Sequence, residues 1–324
     1  MAELIDDYGR RLNYVRISVT DRCNFRCTYC MPAEGVKCLA HGEILSYEEI
    51  LQLCSVFREL GVRKFRFTGG EPLVRKGLVS FLSELKRSLP DVKTALTTNA
   101  SLLSRYAGEL AAAGLHSLNV SLDTLDPDKF REVTRIGDIR TVLSGIDAAK
   151  GAGIRNIKLN TVLVRGFNDG EVQALLGYAR ENELRLRLIE FMPLEDGVWD
   201  KSRFMSGDEI LRTLPDGGAW KPLKTETDRD GMGPAQYFLN EKSGDVIGII
   251  TAVSNHFCQD CNRLRVSASG KLRTCLFSPS ETPLRELIPH PEELKKLILS
   301  TIKTKPKCWN DIRAGHQHMS GIGG

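Results

Sequence analysis

Six of the nine cysteines fall into two triads. Cys23, Cys27 and Cys30 are spaced C-x3-C-x2-C, and Cys258, Cys261 and Cys275 are spaced C-x2-C-x13-C. Soft thiolates suit iron–sulfur chemistry, and three of them so close can hold three irons of a [4Fe–4S] cluster. The fourth iron then lacks a protein ligand, and an open metal position can bind a substrate or cosubstrate. The competing reading of the first triad is a zinc knuckle or free thiols. Zinc wants four ligands, and no fourth Cys or His lies within that loop. The second triad has a stronger competitor, because His256 would complete a Cys3His zinc set. Cysteine usage of this kind points to metal rather than to the disulfides of small secreted domains. Cys54 lies in an apolar stretch and reads as a buried filler. Cys38 and Cys308 have no partner that the sequence names.

The elements that position these thiols follow a repeating rhythm. Strands are expected at 14–19, 64–68, 92–98, 117–122, 156–163 and 186–191, with helices at 46–60, 77–88, 102–113, 139–152 and 169–182 between them. Ser46 with Glu49 forms a capping box, and Gly61, Gly114 and Gly153 sit where helix ends favour glycine. Strand–helix alternation argues for parallel βαβ units. Six units are too few for an eight-stranded barrel and suit an open, partial (βα)6 TIM-like barrel. In these strands Val15, Ile17, Phe65, Phe67, Leu118 and Val120 alternate with Arg16, Ser18, Lys64, Arg66, Asn119 and Ser121. The fifth strand repeats this with Lys158 and Asn160. The apolar face must meet the helices, so the polar face looks inward and reads as a cavity for a polar, anionic ligand. No G-x4-G-K-[ST] loop is present, so any phosphate site is assembled from side chains across strands.

Beyond Pro193 the rhythm stops. Short strands are expected at 236–240, 246–250 and 264–267, in a smaller region, 193–324, appended to a barrel of residues 1–192 and closing its mouth. Arg263 and Arg265 lie two apart and share one face of a strand. The chain has 324 residues, and 45 basic against 41 acidic residues give +4. That balance is too mild to call for nucleic acid or a membrane surface. No apolar run of about 18 residues appears, and residues 1–11 lack a signal-peptide core. A reducing, cytoplasmic setting is expected.

The first triad, with Tyr29 before its last cysteine and Thr68-Gly69-Gly70-Glu71-Pro72 at a strand end, resembles the radical S-adenosylmethionine (SAM) superfamily. The resemblance implies that the open iron chelates SAM and that an electron from the cluster releases a 5′-deoxyadenosyl radical. Further words narrow it. Arg16-Ile17-Ser18-Val19-Thr20-Asp21-Arg22-Cys23-Asn24, Cys261-Asn262-Arg263-Leu264-Arg265 and Gly270-Lys271-Leu272-Arg273-Thr274-Cys275 resemble the GTP 3′,8-cyclase family, as does the closing Gly323-Gly324. The resemblance spans essentially the whole chain, with 37–42 and 194–202 looser. It implies a radical SAM barrel and a C-terminal region with a second iron–sulfur cluster, hence two [4Fe–4S] clusters and SAM. It implies conversion of GTP to (8S)-3′,8-cyclo-7,8-dihydroguanosine 5′-triphosphate, the first step towards the molybdenum cofactor. Cys23, Cys27, Cys30 and Arg16 are then catalytic. Tyr29, Gly70, Ser121 and Met192 line SAM, and Arg16, Arg66, Thr97, Lys158, Arg263, Leu264 and Arg265 meet GTP. Cys258, Cys261 and Cys275 hold the second cluster, and the tail reaches the active site. The implied partners are a reductant protein and a downstream pterin-forming cyclase, and a homodimer is compatible with the resemblance. A peptide maturase, or a non-enzymatic iron–sulfur or zinc protein, are the alternatives.

Overall fold

The computed structural model describes residues 3–193, 199–223 and 233–311. Six parallel strands follow one another across the sheet in chain order. They are β1 (Tyr14–Ser18), β2 (Lys64–Thr68), β3 (Lys93–Thr98), β4 (Ser117–Ser121), β5 (Ile157–Leu163) and β6 (Arg185–Glu190). Between them lie α1 (Tyr47–Glu59), α2 (Leu78–Ser88), α3 (Leu103–Ala112), α4 (Pro127–Thr134), α5 (Ile139–Gly151) and α6 (Val172–Glu181). Helix α1 starts at the expected capping box: Ser46 Oγ accepts from the Glu49 amide while the Glu49 carboxylate accepts from the Ser46 amide. It ends at Gly61, whose φ of 92° puts it in the left-handed region.

The apolar strand face packs on the helices. Val15, Ile17, Phe65, Phe67, Leu118, Val120 and Leu159 are fully buried in one core with Leu53, Phe57, Leu82, Leu110 and Val142. Cys54 is buried in the same core, as a filler would be. Burying a large apolar side chain contributes about 1.5–3 kcal/mol, so this alternation fixes which face turns inward.

Residues beyond 192 do not form a separate layer. They supply α7 (Gly207–Thr213), β7 (Trp220–Pro222), β8 (Gln236–Asn240), β9 (Val246–Ile250), β10 (Arg263–Val266), β11 (Lys271–Arg273), β12 (Thr282–Pro283) and α8 (Pro291–Ile302). Strand β10 pairs parallel to β1 and β9 pairs parallel to β6, giving one sheet of order β12-β11-β10-β1-β2-β3-β4-β5-β6-β9-β8-β7. Among the described residues, strands from beyond 192 thus extend the six-strand barrel at both edges.

The sequence reading placed no helix at α4, α7 or α8. Helix α4 had a usable signal, since Asp126 caps the amides of Asp128 and Lys129 and Pro127 occupies the first turn. Gly323, Gly324 and residues 194–198 of the looser stretch lie outside the described residues. Among the described residues, no helix is long and apolar enough to cross a membrane.

Candidate active site

The first triad sits on the loop that leaves the C-terminal end of β1. That loop is stitched to its neighbours by backbone hydrogen bonds. Val19 N donates to Thr68 O at 2.8 Å, Gly70 N to Thr20 O at 2.9 Å and Glu71 N to Arg22 O at 2.8 Å. A side chain at Gly69 or Gly70 would collide with the backbone of Thr20 or Arg22, so the Gly-Gly pair is what allows the strand end to press against the cysteine loop. From the other side α4 holds the loop, with Arg26 N on Thr134 O and Thr28 N on Val133 O. Arg135 adds hydrogen bonds to the Arg26 and Met31 carbonyls at 2.7 and 2.9 Å. Burial raises the Cys23 and Cys27 thiols, and for Cys27 the neighbouring Cys30 thiol, Asp123 and the Cys23 thiol add to it.

Two carboxylates lie beside this loop. Glu71 is fully buried and accepts from Leu73 N, Thr98 Oγ1 and Asn99 N. Burial lifts it to about 7 against those hydrogen bonds. Asp123 accepts from the Tyr29 hydroxyl and from Val162 N, and burial brings it to about 6.

The cavity between the strands measures about 330 Å³. Its wall carries two rows of polar side chains set by strand register. Arg265, Arg16 and Arg66 stand abreast on β10, β1 and β2; one step away Arg263, Tyr14 and Lys64 do the same. All six line the cavity. Like charges directly opposite one another destabilise a sheet, so five cations in this array call for a multivalent anion. The strain is visible in the side chains. Burial and then the Arg265 charge hold Arg16 well below the ordinary arginine range, and Arg16 Nε is buried without a hydrogen-bond partner. Burial and Arg263 lower Arg265 to about 10.

The second triad lies at the other end of β1. Cys261 precedes β10, which runs parallel to β1, so it lies at the N-terminal end of the strands. Strand β10 then turns at Gly270 and returns antiparallel as β11, delivering Cys275 to the same end. A hairpin therefore explains the 13-residue spacing. Cys258 lies within a single 3-10 turn, Phe257–Asp260, and Cys261 caps its C-terminal end. All three thiols line the cavity, as do Cys23, Cys27 and Cys30. Burial would raise the Cys261 thiol, but Arg263 and Lys305 outweigh it and bring it down to about 6. Lys305 Nζ is 3.4 Å from Cys261 Sγ and also donates to the Arg263 and Thr274 carbonyls. Burial pushes Cys258 up to about 11, with the Cys308 thiol beside it contributing.

Among the described residues, no three His, Cys, Asp or Glu side chains gather closely enough to hold one metal ion. A four-iron cube makes a weaker demand, because each thiolate binds a different iron. Three soft thiolates in each set are donors of the type that iron–sulfur clusters use. His256 is also engaged elsewhere: Nδ1 accepts from Trp309 Nε1 at 2.9 Å and Nε2 faces Asn310 Nδ2 at 3.0 Å.

Tyr29, Gly70, Ser121, Met192, Thr97, Arg16, Arg66, Arg263 and Arg265 all line the cavity. Two of the expected GTP residues are placed differently from the rest. Leu264 was grouped with its flanking arginines, but strand alternation turns its side chain into the core, where it is fully buried. Lys158 is buried on the inward face, yet it lies outside the cavity lining. Arg187, which the sequence reading passed over, lines the cavity instead and donates to Asn160 Oδ1 at 2.9 Å. Tyr14 and Lys305 were also missed. The alternation that placed Arg16 inward places Tyr14 there too; Lys305 is distant in sequence and carries no local signal.

A parallel barrel with three thiols on the loop after its first strand defines a radical SAM protein, and residues 17–179 match the Radical SAM superfamily. Residues 184–310 match Molybdenum Cofactor Synthesis C. A GTP 3′,8-cyclase of Peptoclostridium acidaminophilum is 45% identical over 306 residues, covering 94% of this chain and 92% of its own. One from Thermodesulfovibrio yellowstonii is 43% identical over 324 residues, covering 98% and 99%. Among solved structures, Streptococcus suis SuiB bound to S-adenosylmethionine superposes with a TM-score of 0.64 at 14% identity. It covers 92% of this chain and 69% of SuiB, a likeness of fold alone. The chain belongs to the GTP 3′,8-cyclase family. Membership of the superfamily implies a four-iron cluster and SAM.

Proposed function

We propose that this chain converts GTP to 3′,8-cyclo-7,8-dihydro-GTP. The observation that carries the reading is the cation array of Arg265, Arg16, Arg66, Arg263 and Lys64, set in one cavity between two cysteine triads. Cys23, Cys27 and Cys30 hold the SAM cluster, with Tyr29, Gly70, Ser121 and Met192 around SAM. When bound, cluster and SAM together supply a radical able to take an unactivated hydrogen atom. The arginines and Lys64 hold the triphosphate, with Thr97 and the buried Lys158 in support. Cys258, Cys261 and Cys275 would hold a second four-iron cluster, which would supply a metal position for the guanine. Lys305 and Arg263 keep Cys261 ready to bind iron as a thiolate.

In the overall change GTP loses the hydrogen of C3′, gains a C3′–C8 bond and takes up one electron and one proton. The product is therefore an isomer of GTP. A reductant protein supplies electrons, and a separate cyclase consumes the product in forming the pterin. Anaerobic protein reconstituted with iron and sulfide is expected to turn GTP, SAM and reductant into a new nucleotide of GTP's mass but different retention and absorbance. Cleavage of SAM with GTP recovered unchanged would overturn this reading. A peptide maturase has no comparable use for five convergent cations.

A further inference from the structure

Tyr14 stands in the middle of the cation array. It is only 4% exposed and lines the cavity. Arg66 Nε donates to its hydroxyl at 2.5 Å, while Arg66 Nη1 reaches the Leu96 carbonyl and Thr97 Oγ1. Lys64 Nζ lies 5.4 Å from the centre of its ring. The charged groups around it come from three strands: Arg16 on β1, Lys64 and Arg66 on β2, and Arg263 and Arg265 on β10. The Cys261 and Cys275 thiols lie near Arg265.

We propose that Tyr14 is a positioning residue for the triphosphate, its phenol oxygen acting as the counter-group that holds the Arg66 guanidinium until the phosphate takes its place. This rests on the reading that the triphosphate of GTP enters the cation array. Burial disfavours the charged phenol, yet Arg66, Arg16 and Lys64 outweigh it and bring Tyr14 down to about 7. Near and above neutral pH the free protein therefore carries phenolate among its cations. A bound polyanion cancels their field, returns the phenol towards its ordinary value near 10 and draws one proton from the buffer. Binding coupled to proton uptake weakens as pH rises through the free-state value.

Between pH 7 and pH 9 GTP affinity should fall by at least about tenfold in the wild type, and this part of the fall should be missing in Tyr14→Phe. The test is calorimetry of the anaerobic, cluster-loaded chain in two buffers of different ionisation enthalpy, with GTP and with inorganic tripolyphosphate. At pH 8.5 the wild type should take up about one proton per ligand more than Tyr14→Phe, and at pH 6 that excess should vanish. Tripolyphosphate removes guanine chemistry from the comparison. If Tyr14→Phe folds poorly, the wild-type counts at the two pH values are compared after subtracting the terminal phosphate's own titration, which falls near pH 6. Equal proton counts in the two proteins, or the same wild-type count at both pH values, would overturn the proposal while leaving GTP binding intact. Tyr14-dependent uptake with tripolyphosphate, but no binding of GTP, would keep it and defeat the substrate reading. Failure of both ligands to bind the wild type would overturn both.

Discussion

Replacing Cys23, Cys27 and Cys30 with alanine is expected to halve the iron of anaerobically prepared protein and to abolish formation of 5′-deoxyadenosine. The intact chain should bind about eight irons, two four-iron cubes of the kind thiolates hold. The loop that carries these thiols presses against the Gly69-Gly70 strand end, and its backbone is pinned by β2 and α4 independently of the side chains. The triple variant should therefore keep its fold and lose the chemistry. Replacing Cys258, Cys261 and Cys275 should also halve the iron, yet leave some cleavage of SAM, because that triad lies at the opposite end of the strands. Stoichiometric zinc at the second triad in anaerobic protein would contradict the two-cluster account, and the engagement of His256 by Trp309 and Asn310 argues against it.

Arg16→Ala is expected to weaken GTP binding by about ten- to a hundredfold, with iron content unchanged. A charge-assisted hydrogen bond to phosphate is worth roughly 1.5–3 kcal/mol, which sets that range. Thermal unfolding without nucleotide should show the opposite trend. Arg16 is half-buried, repelled by Arg265 and Arg66, and its buried Nε has no hydrogen-bond partner. Its removal should leave the melting temperature of the free protein equal to or above the wild type's. Arg66→Ala differs, because it breaks hydrogen bonds to Tyr14, Leu96 and Thr97 and so should cost stability as well as affinity. Unchanged GTP affinity in Arg16→Ala would mean that the inward face does not meet the phosphates.

The barrel was legible because its strands carry a strict two-residue period and its helices carry capping signals. The alternation of Arg16 and Arg66 with Val15, Ile17, Phe65 and Phe67 was enough to predict a cavity lined with cations. What escaped was of two kinds. For Leu264 and Tyr14 the period was itself informative: the two-residue rule turns the Leu264 side chain away from those of Arg263 and Arg265, and turns Tyr14 towards Arg16. The rest depended on distant contacts. The Cys308 thiol beside Cys258, Lys305 on Cys261, and the Arg10 guanidinium joining the Cys258 and Pro306 carbonyls each link segments far apart in sequence. No local pattern encodes such pairs. Helix α4 lies between these cases, since its cap was readable but its role in holding the cysteine loop was not.

Radical chemistry that begins at the ribose of GTP leaves an isotopic trace. When the anaerobic, cluster-loaded chain is given SAM, reductant and GTP carrying deuterium at C3′, the deuterium should appear in 5′-deoxyadenosine and be lost from the nucleotide product. Unlabelled 5′-deoxyadenosine, with deuterium retained at C3′ of the nucleotide, would contradict it.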